Sequence, residues 1–411
     1  MIFHPEKIPI DILYPIFDQL DDRLDLHAAA LTNRCFNRAA TPLLYRTLDT
    51  RTKWDDKSVS SPFPCVPAIG RAVQLTKKQS PIVLHPAVTI LQKPMLARYL
   101  LATGVMHSSH PTITETVFAA LRLCTNIYSF TWIDDNYSSG ALFMSFLEIL
   151  KDLRIRSLTI RTYSDLGEPA WAALNDFSGL QKIAIWCMDG PPRVLQGWAD
   201  ALGSSLTELE LGRCAGVPAT ILISVLSQLP LLEDLRLKGA PSAAISDILS
   251  YLPNLHTLDT EFLGSGILRP SSSSDPLPRL RKLTVRTSSV DLQGPKQLWA
   301  WLHRLVPHSS LESFVLNAFS TQGQTSIPRN FLLALAHIHG DTLRSFLVNM
   351  TQLTLEDVEC LCALFPGLEA LSCAVASPDP VRSFFPFTRT LVPLLYPYVK
   401  KDHLADSAGW L

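Results

Sequence analysis

One spacing of apolar residues recurs along most of the chain and limits its fold more than any other feature. From about residue 120 onward, the order apolar, two variable, apolar, one variable, apolar occurs ten times, and successive copies begin 23 to 32 residues apart. Apolar residues at alternate positions are typical of a short strand with one buried face, so each copy predicts a strand. The copies begin at Ile127, Ile155, Leu180, Leu206, Leu232, Leu255, Leu280, Leu311, Leu343 and Leu368.

Between successive copies lies one helical segment, which usually ends in a turn. Apolar residues recur there at steps of three and four, and a proline often stands where the helix must stop. The clearest segments are residues 219–229 with Pro230, 242–252 with Pro253, 296–306 with Pro307 and 355–365 with Pro366. A strand and a helix every 23–32 residues are the leucine-rich-repeat signature. We therefore predict an α/β fold, a leucine-rich-repeat solenoid of about ten strand–helix repeats with a curved parallel sheet, preceded by a small all-α motif.

The pattern divides the chain into four regions. They are a helical motif over residues 1–50, a linker with degenerate first repeats over 51–120, the repeat solenoid over 121–376, and a C-terminal cap and tail over 377–411. Within the second region, residues 96–101 resemble a degenerate repeat strand, and residues 72–75 are a second candidate strand.

Composition excludes several classes of protein. The 411 residues are 47% hydrophobic and 18% charged, which is too apolar for general disorder. The net charge of −1 argues against nucleic-acid binding and against a polybasic membrane anchor. Neither an apolar stretch long enough to span a membrane nor a secretory signal is recognisable, so we expect a cytoplasmic and/or nuclear protein with no membrane partner.

The sequence offers no catalytic or metal-binding constellation. Its eight cysteines are scattered without a Cys-x-x-Cys pair, which favours reduced, mostly buried thiols. The closest histidine pairs, His107 with His110 and His337 with His339, lack a carboxylate or thiol at ligand spacing. Motifs for a nucleophile elbow, a phosphate loop or a zinc protease are also missing. We therefore expect no enzyme, no cofactor and no metal, with a cysteine-dependent hydrolase as a remote alternative.

The first fifty residues have a different character from the repeats. The pattern predicts two or three short helices over residues 8–45. An apolar stripe runs along the first of these helices. The stripe consists of Ile12, Leu13, Ile16, Phe17 and Leu20. A unit of about 40 residues is too small to bury an independent core well. An apolar stripe on so small a unit therefore predicts contact with a partner or with the rest of the chain.

The spacing of these residues resembles the F-box motif. The resemblance covers Pro9-x-Asp11-Ile12-Leu13-x-x-Ile16-Phe17-x-x-Leu20, Asp25-Leu26, Arg34-x-Phe36-x-x-Ala39 and Pro42-Leu-Leu-Tyr45. The later part of the motif is similar to that of F-box proteins of fungi, which often carry irregular leucine-rich repeats after the motif. The resemblance implies docking on the Skp-type adaptor of a cullin–RING (SCF-type) ubiquitin ligase. By matching positions, the implied adaptor-binding residues are Ile8, Pro9, Ile12, Leu13, Ile16 and Phe17, supported by Leu26 and Leu31.

The variable strand positions are expected to face outward along the concave side of the repeat sheet. Ten strands at about 4.8 Å spacing give a wall about 43 Å long, which suits a protein client better than a small-molecule substrate. Charge on this face runs acidic first and basic later, and Trp186 is either an exposed interface anchor or packed on a neighbouring strand. The candidate client-binding residues are Arg161, Trp186, Glu208, Glu210, Arg236, Lys238, Asp259, Lys282 and Arg286.

Two functions follow from these observations. In the first, the protein is a substrate receptor of the ligase, with the F-box on the adaptor and the repeats on a protein client. In the second, it is a repeat scaffold whose F-box-like helices only cap the solenoid. Solvent exposure of Ile12, Ile16 and Phe17 in the isolated chain favours the first function, and burial of these residues on the repeats favours the second.

Overall fold

The computed structural model describes residues 9–20, 22–48, 85–106, 111–134, 140–263, 277–289, 295–320 and 327–375. Its strands are parallel and follow one another in chain order. Contacts divide the described chain into two compact units. The first comprises the residues up to Leu180 together with Cys187–Gly190, and the second comprises Gln181–Trp186 together with the residues from Pro191 onward.

The first unit begins with three helices, α1 (Ile10–Phe17), α2 (Arg23–Thr32) and α3 (Arg34–Leu44). The side-chain oxygen of Asn33 accepts a hydrogen bond from the Phe36 backbone N–H at 2.8 Å and so caps the start of α3. The helices share a small core of Leu13, Phe17, Leu26, Ala30, Ala39, Ala40 and Leu43. The alanines allow close approach of the helices, and the rings of Phe17 and Phe36 meet edge to face at 5.2 Å.

The repeats of the first unit follow directly. In chain order, they are β1 (Thr47–Leu48), α4 (Pro86–Gln92), a 3-10 helix (Pro94–Tyr99), β2 (Ala102–Met106), α5 (Pro111–Leu121), β3 (Ser129–Asp134), α6 (Gly140–Leu150), β4 (Ser157–Thr162) and α7 (Glu168–Leu174). Trp132 of β3 packs on Phe143 and Phe146 of α6, with ring centroids 5.2 and 5.4 Å away. Strand and helix of one repeat therefore bury each other's apolar faces.

The second unit continues the same alternation. Its elements are β5 (Lys182–Cys187), α8 (Ala199–Leu202), β6 (Glu208–Leu211), α9 (Ala219–Leu226), β7 (Asp234–Leu237), α10 (Ser242–Ser250), β8 (Thr257–Phe262), β9 (Lys282–Ser289), α11 (Pro295–Leu305), β10 (Ser313–Ser320), α12 (Arg329–His339), β11 (Ser345–Leu353), α13 (Leu355–Leu364) and β12 (Ala370–Val375). Leu209, Leu235, Leu258 and Leu283 are aligned across four neighbouring strands and are buried. Their alignment holds the repeats in one register.

These observations confirm the predicted α/β leucine-rich-repeat fold. The ten predicted strands are β3 to β12, and β1 and β2 precede them. The strand expected over residues 96–101 is wrong, because most of that segment forms the 3-10 helix and the strand starts at Ala102. Thr103 explains the error: a polar residue stands where the pattern needs an apolar one, and its buried hydroxyl accepts a hydrogen bond from the Thr131 N–H at 2.9 Å. The candidate strand at 72–75 lies outside the described residues.

Side chains alternate between the two faces of each strand, and one of these faces is the candidate binding surface. On β6, Leu209 and Leu211 are buried, whereas Glu208 and Glu210 point to the other side of the strand and are more accessible. We call the side of β5–β12 that carries such variable positions the outer face. Among the helices of the described residues, none is both long and apolar enough to cross a membrane.

Candidate interaction surfaces

The N-terminal helices expose part of their apolar stripe. Ile12 and Ile16, one helical turn apart on α1, are 52% and 53% exposed, and Leu31 on α2 is 72% exposed. Tyr14, which the sequence pattern did not single out, is exposed as well. Apolar side chains of this size keep such exposure at a cost in hydration, so their grouping on a small helical unit indicates a docking surface.

The remaining residues of the predicted adaptor-binding set divide by burial. Leu13 and Phe17 are only 2% and 6% exposed, and with Leu26 they belong to the core of the three helices. They therefore hold the shape of the unit, while Pro9, Ile12, Ile16 and Leu31 remain accessible. Ile8 lies outside the described residues. Contact of the whole set with an adaptor stays a prediction.

An ion pair connects the ends of this helical unit. Arg46, just after α3, donates to Asp18 at the end of α1 with an N–O distance of 2.9 Å. Both side chains are about half exposed, so the pair contributes at most about 1 kcal/mol. The buried apolar residues of the three helices dominate their packing.

The outer face of β5–β9 is densely charged and balanced. Its described variable positions carry five Lys or Arg and five Asp or Glu. The cations are Lys182, Arg236, Lys238, Lys282 and Arg286, and the anions are Glu208, Glu210, Asp234, Asp259 and Glu261. Equal numbers give this face no net charge, so long-range attraction of one kind of client does not follow from its composition.

Four of the eight charged candidate client-binding residues, Glu210, Arg236, Asp259 and Arg286, are bonded to each other. Glu210 accepts from the Trp186 indole N–H and from Arg236, the latter at 3.3 Å. Arg236 also reaches Asp259 at 3.2 Å, and Arg286 donates to the same Asp259 oxygen at 2.6 Å. A separate pair joins Lys182 to Glu208 at 2.6 Å. The network thus spans five neighbouring strands.

Asp259 departs most from its expected position as a solvent-facing residue. It is 6% exposed, because the guanidinium groups of Arg236 and Arg286 cover it from the strands on either side. Burial raises the pKa of the Asp259 carboxyl, and the two arginines oppose that rise. Glu261, which the alternation also places on the outer face, is buried as well and accepts a hydrogen bond from the Gly239 N–H at 2.7 Å.

Trp186 is packed on its neighbouring strand, the second of the two alternatives for this residue. The indole ring lies on Gly212, where a Cβ atom would overlap it, and the ammonium of Lys238 lies 5.3 Å from the ring centroid. A cation at this distance from an indole is attracted to the ring. Trp186 therefore fixes one end of the charged network instead of projecting freely toward a client.

The other candidate client-binding residues are accessible. Arg161 is exposed on β4 of the first unit, and Glu208 and Lys282 are exposed on β6 and β9 of the second. Farther along the second unit, the outer face becomes uncharged: Asn349 donates to Asn317 at 2.8 Å and accepts from Ser372 at 3.2 Å. This amide ladder was not recognised in the sequence, because asparagine and serine at variable positions carry no distinctive spacing.

The described residues hold no cluster of three or more His, Cys, Asp or Glu that could bind a metal ion. The described cysteines are free thiols, and burial raises the pKa of Cys124 to about 11 and that of Cys214 to about 12. These two thiols are protonated at neutral pH and are poor nucleophiles. Cys65, His107 and His110 lie outside the described residues.

Comparison with known proteins adds little to this geometry. No protein-family model matches the chain, and no curated protein matches it. Among solved structures, a chain in the crystal structure of the Rad7 and Elc1 complex in yeast is similar, with 14% sequence identity over 72% of this chain and 76% of that chain. The TM-score is 0.46, a similarity too low to support an argument about function.

Proposed function

We propose that this protein is the substrate receptor of a cullin–RING ubiquitin ligase of the SCF type. In this role, α1 and α2 dock on the Skp-type adaptor, and through it on a cullin, while the repeat sheet binds a protein client. Catalysis is supplied by other ligase subunits, which gain rate from the proximity of the bound client. The complex acts in the cytosol or the nucleus.

The observation that carries the proposal is the exposure of Ile12 and Ile16 beside a core that is already complete. Leu13 and Phe17, on the adjacent row of α1, fill the space between the three helices. The second row is therefore not needed for the packing of the helices. An exposed apolar row on a packed helical unit favours a docking role over a purely structural one.

The alternative scaffold function requires the same stripe to be covered by the repeats. β1 follows α3 closely and pairs with β2, so the helices and the first repeats belong to one compact unit. Within the described part of that unit, Ile12 and Ile16 nevertheless keep half or more of their surface, whereas Phe17, the third residue of the criterion, is buried in the core of the three helices. The exposure of Ile12 and Ile16 favours the receptor function.

Binding of the full-length chain to a purified Skp-type adaptor tests the proposal. We expect the variant Ile12→Asp/Ile16→Asp to fold normally, because both side chains are exposed, and to lose adaptor binding by at least about a hundredfold, since two charges would be buried in an apolar interface. Isothermal titration calorimetry measures the affinity, and thermal unfolding verifies the fold.

The matched control is Met95→Asp, which places a charge at another exposed apolar residue of the first unit. It should leave adaptor affinity within about twofold, because substitutions at exposed sites away from an interface have small effects. Failure of the intact chain to bind the adaptor, or equal loss in the control, would refute the receptor function and leave the scaffold.

A further inference from the structure

The last described repeat leaves part of its core uncovered. From Leu206 to Phe346, the first two apolar residues of each strand pattern are at most 2% exposed. In the last copy, the equivalent residues Leu368 and Leu371 are partly exposed. They lie at one end of the array, since β12 is the last strand of the sheet. A repeat needs a neighbour to bury its apolar faces, so this end requires a cover.

The backbone of β12 shows the same unfinished edge. Along most of the sheet, two successive N–H groups of a strand donate to one carbonyl of the strand before it. Arg344 and Ser345 donate to the Glu312 carbonyl at 2.8 and 3.0 Å, and Glu369 and Ala370 donate to that of Arg344 at 2.7 and 3.0 Å. The next acceptor in the series is the Glu369 carbonyl, for which the described residues supply no such pair of donors.

β12 also lacks the features that protect an exposed edge strand. Its sequence, Ala-Leu-Ser-Cys-Ala-Val, contains neither a charged residue nor a proline. Ala370 donates toward β11, and successive N–H groups of a strand point to alternate sides, so those of Leu371 and Cys373 point to the edge. An uncharged edge of this kind readily pairs with another strand.

The chain that follows β12 contains a matching strand pattern. The order apolar, two variable, apolar, one variable, apolar returns, interrupted by a proline, at Leu391-Val-Pro-Leu394-Leu-Tyr396. This copy begins 23 residues after Leu368, an interval that also occurs between the other copies. The pattern therefore returns where the repeat period places the next strand.

A short helical pattern precedes this copy, as in the other repeats. Val381, Phe384 and Phe385 are spaced as the apolar residues of one helix face. Asp379 followed by proline suits the start of a helix, because aspartate caps the free N–H groups and proline fits the first turn. Pro386 then ends the pattern, in the way that prolines end other helical segments of the chain.

Pro393 is compatible with a strand at this place in the sheet. Strands β9 to β12 begin at the third residue of the pattern, and Pro393 is the third residue of its copy. Proline is tolerated as the first residue of a strand and on edge strands. The Val392 N–H remains available for the Glu369 carbonyl, as the first donor of the pair. A proline here also protects the new edge against further pairing.

We propose that residues 379–396 form one further helix and strand of the array, which pair with β12 and cover Leu368 and Leu371. The inference is independent of the proposed function and goes further than the cap expected from the sequence, because it assigns a register. In that register, Leu391, Leu394 and Tyr396 face the core, whereas Leu395 lies on the outer face.

Two adjacent leucines of the full-length chain provide a matched test. Hydrogen–deuterium exchange, measured by mass spectrometry on peptides that cover β12, reports whether this strand has a partner. We expect slow exchange in the unchanged chain and exchange at least about tenfold faster in Leu394→Asp, because a buried charge without a partner expels the strand. Leu395→Asp should change exchange by no more than about twofold, since that side chain faces outward.

Peptides from β7, which lies several repeats away, should stay slow in both variants and so verify the fold. If Leu394→Asp unfolds the whole chain, Leu394→Ala and Leu395→Ala give the same comparison with a milder change. Fast exchange of β12 in the unchanged chain, or equal effects at the two leucines, would overturn the proposal. So would protection of β12 that rises with protein concentration and ignores Leu394→Asp, since it would assign the edge to a second copy.

Discussion

At the scale of single residues, Trp186 shows how one side chain organises several strands. Its indole lies on Gly212 of the next repeat, donates to Glu210 and receives the ammonium of Lys238. These contacts depend on the missing side chain at Gly212, since any Cβ atom there would meet the ring. The glycine is thus as necessary to this part of the outer face as the tryptophan.

The substitution Gly212→Ala should destabilise the protein by about 1–3 kcal/mol, because the added methyl group displaces the indole and strains the network. Urea unfolding measures the change in the free energy of unfolding. In the background Trp186→Ala, the same substitution should cost less than half as much, since the ring is then absent. An equal cost in both backgrounds would show that the glycine serves another purpose.

The ion pairs between individual residues of neighbouring strands could not be predicted from the sequence. Alternation predicted correctly which strand side carries Glu210, Arg236 and Asp259, because the period of a strand fixes its faces. It could not predict that Asp259 is buried, since that depends on two arginines that reach it from strands encoded 23 and 27 residues away. A long charged side chain can pair with any of several residues on neighbouring strands, and the periodicity of the sequence does not specify which one.

At the scale of elements, the structure shows which face of α1 serves which purpose. Leu13 and Phe17 form one row and Ile12 and Ile16 the next, and in the sequence both rows belong to a single wide stripe. Which row packs inward is decided by α2 and α3, whose small residues Ala30, Ala39 and Ala40 create the space. A pattern read from one helix therefore predicted the stripe but not its division into core and surface.

The element α12 also contains a buried histidine that joins neighbouring repeats. The ring of His339 contacts the Val306 carbonyl at 3.0 Å through Nε2 and accepts from the Leu311 N–H at 3.3 Å through Nδ1. Both bonds form together only when the ring is neutral with its proton on Nε2. Burial lowers the pKa of His339 below its ordinary value of 6.5, and nearby His303 on α11 lowers it further.

We expect stability to fall as the pH decreases below about 6.5. The unfolded chain binds a proton at His339 more readily than the folded chain, so the contribution of the neutral ring is complete above the unfolded pKa and decreases toward the folded pKa. Urea unfolding between pH 7.5 and 5, in steps of about half a unit, measures this slope. The His339→Gln variant should show a shallower decrease, and an unchanged slope would contradict the assignment.

At the scale of the whole molecule, the repeats provide many similar strands, while function is assigned to two distinct surfaces. The repeat period predicted the solenoid because ten copies reinforce one another, whereas β1 and β2 lack the full pattern and were not predicted as clear repeats. The N-terminal helices offer an apolar surface, and the outer face of β5–β9 offers a charged one. Surfaces of such different chemistry suit two different partners.

Hydrogen–deuterium exchange of the full-length chain, with and without the purified Skp-type adaptor, tests this central claim most directly. We expect the adaptor to slow exchange in α1 and α2, around the exposed Ile12, Ile16 and Leu31, and to leave exchange in β5–β9 unchanged and available to a client. No change in α1 and α2 at saturating adaptor, or protection confined to the repeat strands, would contradict the account.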